Sequence, residues 1–169
     1  GGVTKIFKTT NGGVNWFEQT PANTGPIGVK IDMYNANTGY MTHSTGIQKT
    51  TNSGDNWTLT STIGPSGTSY SPIKTVDSLT VYTGGNNSQV YGTTNGGVTW
   101  DSLNFPVKAG TIFCTDWYDK NNGVAGAVIG VVGITTNRGT TWQIYNTGGY
   151  TTYEVKMVHP DTVYADRKS

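Results

Sequence analysis

Cysteine is nearly absent. Cys114 is the only one in 169 residues, which excludes an intrachain disulfide. Its place in the apolar run Thr111-Ile112-Phe113-Cys114 reads as a small buried hydrophobe rather than a reactive thiol. Histidine is almost as scarce: His43 and His159 stand alone, without a His-x-x-x-His or cysteine partner, so no zinc site is expected. Charge is sparse as well. With 12% charged residues and a net charge of +1, the chain gives no electrostatic reason to expect nucleic acid or an anionic membrane as partner. No run of 18 apolar residues occurs, so no membrane-spanning helix or membrane insertion is expected. Apolar residues nowhere recur at three-to-four spacing through three turns, so no helix is expected. Gly-x-x-x-x-Gly-Lys and Gly-x-Ser-x-Gly are both missing, and no cofactor is implied. The opening Gly1-Gly2-Val3-Thr4-Lys5 is neither an initiator methionine nor a signal peptide, so a mature or partial segment is expected.

What is present is glycine, 24 of them, together with five Trp, ten Tyr and four Phe. Such a composition suits many short strands joined by tight turns and opposes disorder. Four segments align without gaps: Thr9-Thr10-Asn11-Gly12-Gly13-Val14-Asn15-Trp16, then Thr50 through Trp57, Thr93 through Trp100, and Thr135 through Trp142. Their asparagines, Asn11, Asn52, Asn95 and Asn137, are 41, 43 and 42 residues apart (52−11, 95−52, 137−95). A near-constant period of this length marks a repeat architecture.

Each element of Thr-Thr-Asn-x-Gly-x-x-Trp has a physical task. The asparagine side-chain oxygen can accept backbone N–H bonds at the head of a turn. Gly13, Gly54, Gly97 and Gly139 supply the positive φ that the hairpin needs. Trp16, Trp57, Trp100 and Trp142 open the next strand and are expected to occupy equivalent, largely buried positions between neighbouring units. Around each turn the repeat reads as four strands. First strands are expected over Val29–Tyr34, Pro72–Val76, Thr111–Trp117 and Tyr153–His159. Second strands are expected over Gly39–Ser44, Leu79–Thr83, Gly123–Ile129 and Thr162–Asp166. Third strands are expected over Lys5–Thr10, Gly46–Thr51, Gln89–Thr94 and Val131–Thr136, and fourth strands over Asn15–Thr20, Asn56–Thr62, Thr99–Phe105 and Thr141–Thr147. The fold class is therefore all-β: a β-propeller of four-stranded antiparallel blades with about 42 residues each. Residues 1–169 are expected to form a single propeller domain or fragment with four repeats, its first and last blades incomplete, and to be part of a larger ring.

The turn motif resembles the Asp-box, or BNR repeat, whose usual form is Ser/Thr-x-Asp-x-Gly-x-Thr-Trp. Asparagine replaces aspartate in all four copies, and Asn15 and Asn56 stand where the family has threonine. The stretch Thr115-Asp116 through Asn122-Gly123-Val124-Ala125-Gly126, followed by Thr135-Thr136-Asn137, looks like the blade pattern of the Ycf48-like photosystem assembly factors. The resemblance covers the whole chain and implies the fold. It leaves function open, because such repeats occur in sialidases, xyloglucanases, sortilin-type receptors and assembly factors alike.

The residues themselves argue against the hydrolytic chemistries. A sialidase grips its substrate carboxylate with three arginines, and only Arg138 and Arg167 are present. Other glycoside hydrolases need two facing carboxylates; Asp32, Asp116, Glu154 and Asp166 are the candidates, but ten acidic residues over four blades supply such candidates by chance, and turn and rim carboxylates are expected. Asp119-Lys120-Asn121-Asn122-Gly123 has a calcium-loop flavour but lacks the sixth-position Gly and twelfth-position Glu, so a strand-joining turn is expected. Asp77-Ser78-Leu79, Asp101-Ser102-Leu103 and Asp161-Thr162-Val163 look like the Asp-Ser/Thr-aliphatic O-glycosylation acceptor of exported proteins in one group of Gram-negative bacteria. Ser78, Ser102 and Thr162 are accordingly candidate modified hydroxyls, expected to be exposed; good turn formation is the plainer account of the same tripeptides. The expected function is a non-enzymatic, extracellular or cell-surface propeller that binds a protein or glycan partner or serves assembly, with loop aromatics Tyr70, Tyr118 and Tyr150 as contact candidates. The alternative is a glycoside hydrolase whose carboxylates lie partly outside this segment.

Overall fold

The computed structural model describes residues 5–19, 30–43, 46–62, 72–108 and 110–167. Sixteen strands lie in these residues, and each overlaps one of the segments marked by the repeat. The first hairpin joins β1 (Ile6–Lys8) and β2 (Phe17–Gln19). The second sheet runs β3 (Lys30–Met33), β4 (Gly39–His43), β5 (Gly46–Thr50) and β6 (Thr58–Ser61). The third contains β7 (Ile73–Thr75), β8 (Val81–Gly84), β9 (Val90–Thr93) and β10 (Asp101–Ser102), and the fourth β11 (Ile112–Trp117), β12 (Gly123–Ala127), β13 (Val131–Thr135) and β14 (Gln143–Asn146). A final hairpin pairs β15 (Thr152–His159) with β16 (Thr162–Arg167). Every pairing is antiparallel between consecutive strands, and no α-helix occurs among the described residues; single 3-10 turns sit at Asn86–Ser88 and Val128–Gly130.

The sheets are blades of a β-propeller. Their first strands lie side by side, β3 against β7, β7 against β11 and β11 against β15, while the fourth strands are outermost. Register makes the blades superimposable. Met33, Thr75 and Trp117 face Gly39, Val81 and Gly123, which in turn face Thr50, Thr93 and Thr135. β4, β8 and β12 are buried along their whole length, because each has a strand on both sides and a blade on both faces. In β12 this demands small residues: a Cβ on Gly123 would collide with the indole of Trp117.

Aromatic residues fasten one blade to the next. Tyr82 of β8 stacks on Trp117 of β11 at 3.5 Å and 10° between planes, and its hydroxyl donates to the Lys120 carbonyl at 2.6 Å. Tyr40, the equivalent residue of the preceding blade, donates to the Ser78 carbonyl at 2.9 Å. Each of these tyrosines is fully buried and its polar tip is satisfied, which makes it a stabilising contact rather than a desolvation cost. β10 is shorter than its segment Thr99–Phe105 suggests. After Leu103 N–H reaches the Val90 carbonyl, Asn104 takes a left-handed φ of 40° and turns the chain out of the ladder.

Candidate functional site

The four repeated turns share one hydrogen-bond plan. In the fourth, Thr135 Oγ1 donates to Asn137 Oδ1 (3.0 Å) and accepts the N–H of Gly139 (2.8 Å), and Asn137 Oδ1 accepts the N–H of Thr141 (2.9 Å). Thr93, Asn95, Gly97 and Thr99 repeat this plan, as do Thr50, Asn52, Gly54 and Asn56, and Thr9, Asn11, Gly13 and Asn15. The first threonine of each motif is thus as central as the asparagine. The glycines are left-handed (φ 93°, 88°, 91° and 75°), and so is the residue before each, which is Ser53 in the second turn and Arg138 in the fourth. That residue also ties the turn to its own blade: Ser53, Gly96 and Arg138 donate N–H to the carbonyls of Asn37, Leu79 and Asn121.

A second repeated turn joins the first two strands of each complete blade. Asn35, Asp77 and Asp119 accept two backbone N–H bonds apiece through Oδ1, at 2.7–2.8 Å. These are Asx-turns, and they fix Asp119 as a turn former. Asp77 is driven down to about 2: burial would raise it, but the N–H of Leu79, the Lys120 ammonium and Thr80 outweigh that. Asp119 is lowered likewise, with burial outweighed by Asn121 and Asn122.

The motif tryptophans do not all share one environment. Trp57 (5% exposed) and Trp100 (9%) are buried, and Trp142 is partly buried, its Nε1–H donating to the Leu103 carbonyl of the preceding blade at 2.7 Å. Trp16 departs from the expectation at 60% exposed, since no preceding blade covers it among the described residues. The candidate hydroxyls are also unlike one another. Ser78 is half-buried in an Asx-turn, against the expectation of exposure, because Tyr40 packs onto its carbonyl. Ser102 is exposed on β10, and the exposed Thr162 donates to Asp161 Oδ1 at 2.9 Å. Tyr118 and Tyr150 are exposed, and Tyr70 lies outside the described residues.

Between the first strands lies a cavity of about 410 Å³. Residues of equal register on these strands, Asp32, Lys74, Asp116 and Lys156, alternate in charge around it. Asp116 is 4% exposed and engaged at both oxygens: Lys74 Nζ lies 3.2 Å from Oδ1, Lys156 Nζ 2.9 Å from Oδ2, and Met157 N–H donates to Oδ2 at 2.9 Å. Asp32 makes the matching contact two blades back, accepting the N–H of Thr75. Both acids therefore knit a blade to its successor. Of the other two candidate carboxylates, Glu154 and Asp166 face each other across β15 and β16, both exposed. Elsewhere, Glu18, Asp55 and Asp101 pair with Lys5, Lys8 and Arg138, and Asp161 is held low by His159 and Thr162.

No protein-family model matches the chain, and no curated protein matches it in sequence. Solved structures do. The chain is similar to the GH74 enzyme of Niastella koreensis at 20% identity and a TM-score of 0.72, covering 92% of this chain and 28% of that one. YCF48 from Cyanidioschyzon merolae is similar at 17% identity and 0.66, covering 95% and 60%. A YCF48 bound to a D1 peptide is similar at 14% and 0.61, covering 75% and 42%. This chain thus spans less than two thirds of the length of each. At such identities the likeness establishes the fold: this chain is built as a β-propeller similar to those of YCF48 and of the GH74 enzyme.

Proposed function

We propose that this protein is a non-enzymatic propeller that binds a protein partner, carried on Asp-box-type blades and acting at the cell surface or outside the cell. The observation that carries this reading is the state of the carboxylates. A glycosidase needs one carboxyl kept protonated near neutrality facing a second across a cleft. Here Asp32 and Asp116 are engaged by backbone N–H groups of the neighbouring blade, and Asp77, Asp119 and Asp161 are pushed below the ordinary carboxylate range. The similar YCF48 bound to a D1 peptide supports a peptide or protein as ligand.

One observation favours the hydrolase reading instead: Glu154 and Asp166 are direct cross-strand partners, and the GH74 propeller is similar. Reducing-end release from xyloglucan and other β-glucans by the purified chain separates the two readings. The scaffold reading expects the same background from the chain and from Glu154→Gln and Asp166→Asn. Turnover abolished by either substitution would refute it.

A further inference from the structure

The cavity between the first strands has an imbalance that its formal charges conceal. Lys30, Lys74 and Lys156 line it, and so do Asp32, Asp116 and Glu154. The charges cancel over the cavity as a whole, but around Asp116 two ammoniums meet one carboxylate. Asp116 has both oxygens engaged, and Asp32 accepts from Thr75 through both its carboxylate and its carbonyl. Each lysine ammonium carries three donors, and Lys74 and Lys156 each direct one at Asp116. Their side chains remain 27% and 57% exposed. Beside Asp116, therefore, two partly exposed ammoniums retain donors beyond those that this carboxylate accepts.

We propose that Lys74 and Lys156 together bind a carboxylate supplied by a peptide partner, an inference that rests on the scaffold reading. The two ammoniums already bracket the Asp116 carboxylate. A second carboxylate on their open side would complete a square of alternating charge, in which each ammonium lies between two anions. Bonds of this charge-assisted kind are about twice as strong as neutral ones. A space of 410 Å³ accepts a carboxylate with an adjoining residue or two. Phe113 and Tyr153, edge to face at 5.6 Å, add an apolar wall for the carbon skeleton. Glu154, two residues from Lys156 along β15 and therefore roughly 7 Å away, sets a limit: it disfavours a second anion on the same ligand.

The test is an NMR titration of the lysine side chains of the full chain with three acetylated tripeptides. One is trialanine with a free C-terminal carboxylate, one is its amide, and one is the amide with a central glutamate. Shifts of Lys74 and Lys156 with a carboxylate-bearing peptide, absent with trialanine amide, are expected by about 10 mM. Which acid moves them distinguishes a chain terminus from an acidic side chain. Lys156→Met, which leaves Asp116 neutralised by Lys74, is expected to weaken binding roughly tenfold or more, whereas Lys5→Met leaves it unchanged. Three results would overturn the inference: equal shifts with the uncharged amide, no shift with any peptide, or unaltered binding in Lys156→Met. Any of these leaves the scaffold reading standing, since that reading falls only on hydrolysis.

Discussion

Replacing Thr135 by valine preserves shape and removes one hydroxyl, so it isolates what the first threonine of the motif contributes. Thr135 is 1% exposed, and its hydroxyl serves Asn137 Oδ1 and the buried N–H of Gly139. Valine leaves that N–H without an acceptor in a place water does not reach. An unsatisfied buried donor costs about 1–3 kcal/mol, and loss of the Thr–Asn bond adds about 1, for a total of about 2–4 kcal/mol. The same change at Thr9 is the internal control. That turn makes the same bonds, but Thr9 and Gly13 are only partly buried and Asn11 and Asn15 are exposed, so water can replace the hydroxyl and about 0.5–1 kcal/mol is expected. Urea unfolding followed by tryptophan fluorescence, with circular dichroism to check that one transition is observed, gives both values. If Thr135→Val and Thr9→Val agree to within about 0.5 kcal/mol, burial does not set the worth of this hydroxyl and the reasoning fails.

Two further outcomes follow from the site geometry. Trp100→Ala is expected to cost about 3–5 kcal/mol by the same assay, and Trp16→Ala, at 60% exposed, under about 1; similar losses at both would show that Trp16 has a covering partner. The Asp77 carboxyl is expected to titrate near pH 2 by carbon-detected NMR, below its ordinary 3.8. Its folded value is depressed, so its contribution to stability is complete above about pH 4 and is lost as pH falls towards 2. Asp77→Asn should flatten that part of the acid profile, and an unchanged profile would count against the Asx-turn and Lys120 contacts as its source.

The period of the Thr-Thr-Asn motif made the strand order legible, because a turn recurring every 41–43 residues leaves room for four short strands and little else. Less visible was the second turn. Asn35, Asp77 and Asp119 recur every 42 residues (77−35, 119−77), but the residue type changes from Asn to Asp and the Asp-Ser-Leu tripeptide at Asp77 also matches a modification acceptor, so the turn is masked. Trp16 could not be separated from its three equivalents, since identical motifs carry no record of whether a neighbour covers them. The charge alternation of Asp32, Lys74, Asp116 and Lys156 was hidden for a related reason. Asp32, Lys74 and Asp116 follow one another at 42 residues (74−32, 116−74), but Lys156 comes 40 after Asp116 (156−116), and register across the β-ladders is what brings the fourth into line.

The side-by-side arrangement of the first strands is tested most directly at the Met157 amide, which donates to the carboxylate of Asp116 on the neighbouring blade. Hydrogen exchange read residue by residue, with and without Asp116→Ala, measures that contact. A charge-assisted bond of about 1.5–3 kcal/mol corresponds to roughly a ten- to hundredfold acceleration at Met157 when the carboxylate is removed. Amides of the β15–β16 ladder should change far less. An unchanged rate at Met157, or a uniform acceleration through the whole hairpin, would contradict the placement of β11 beside β15 at the centre of the propeller.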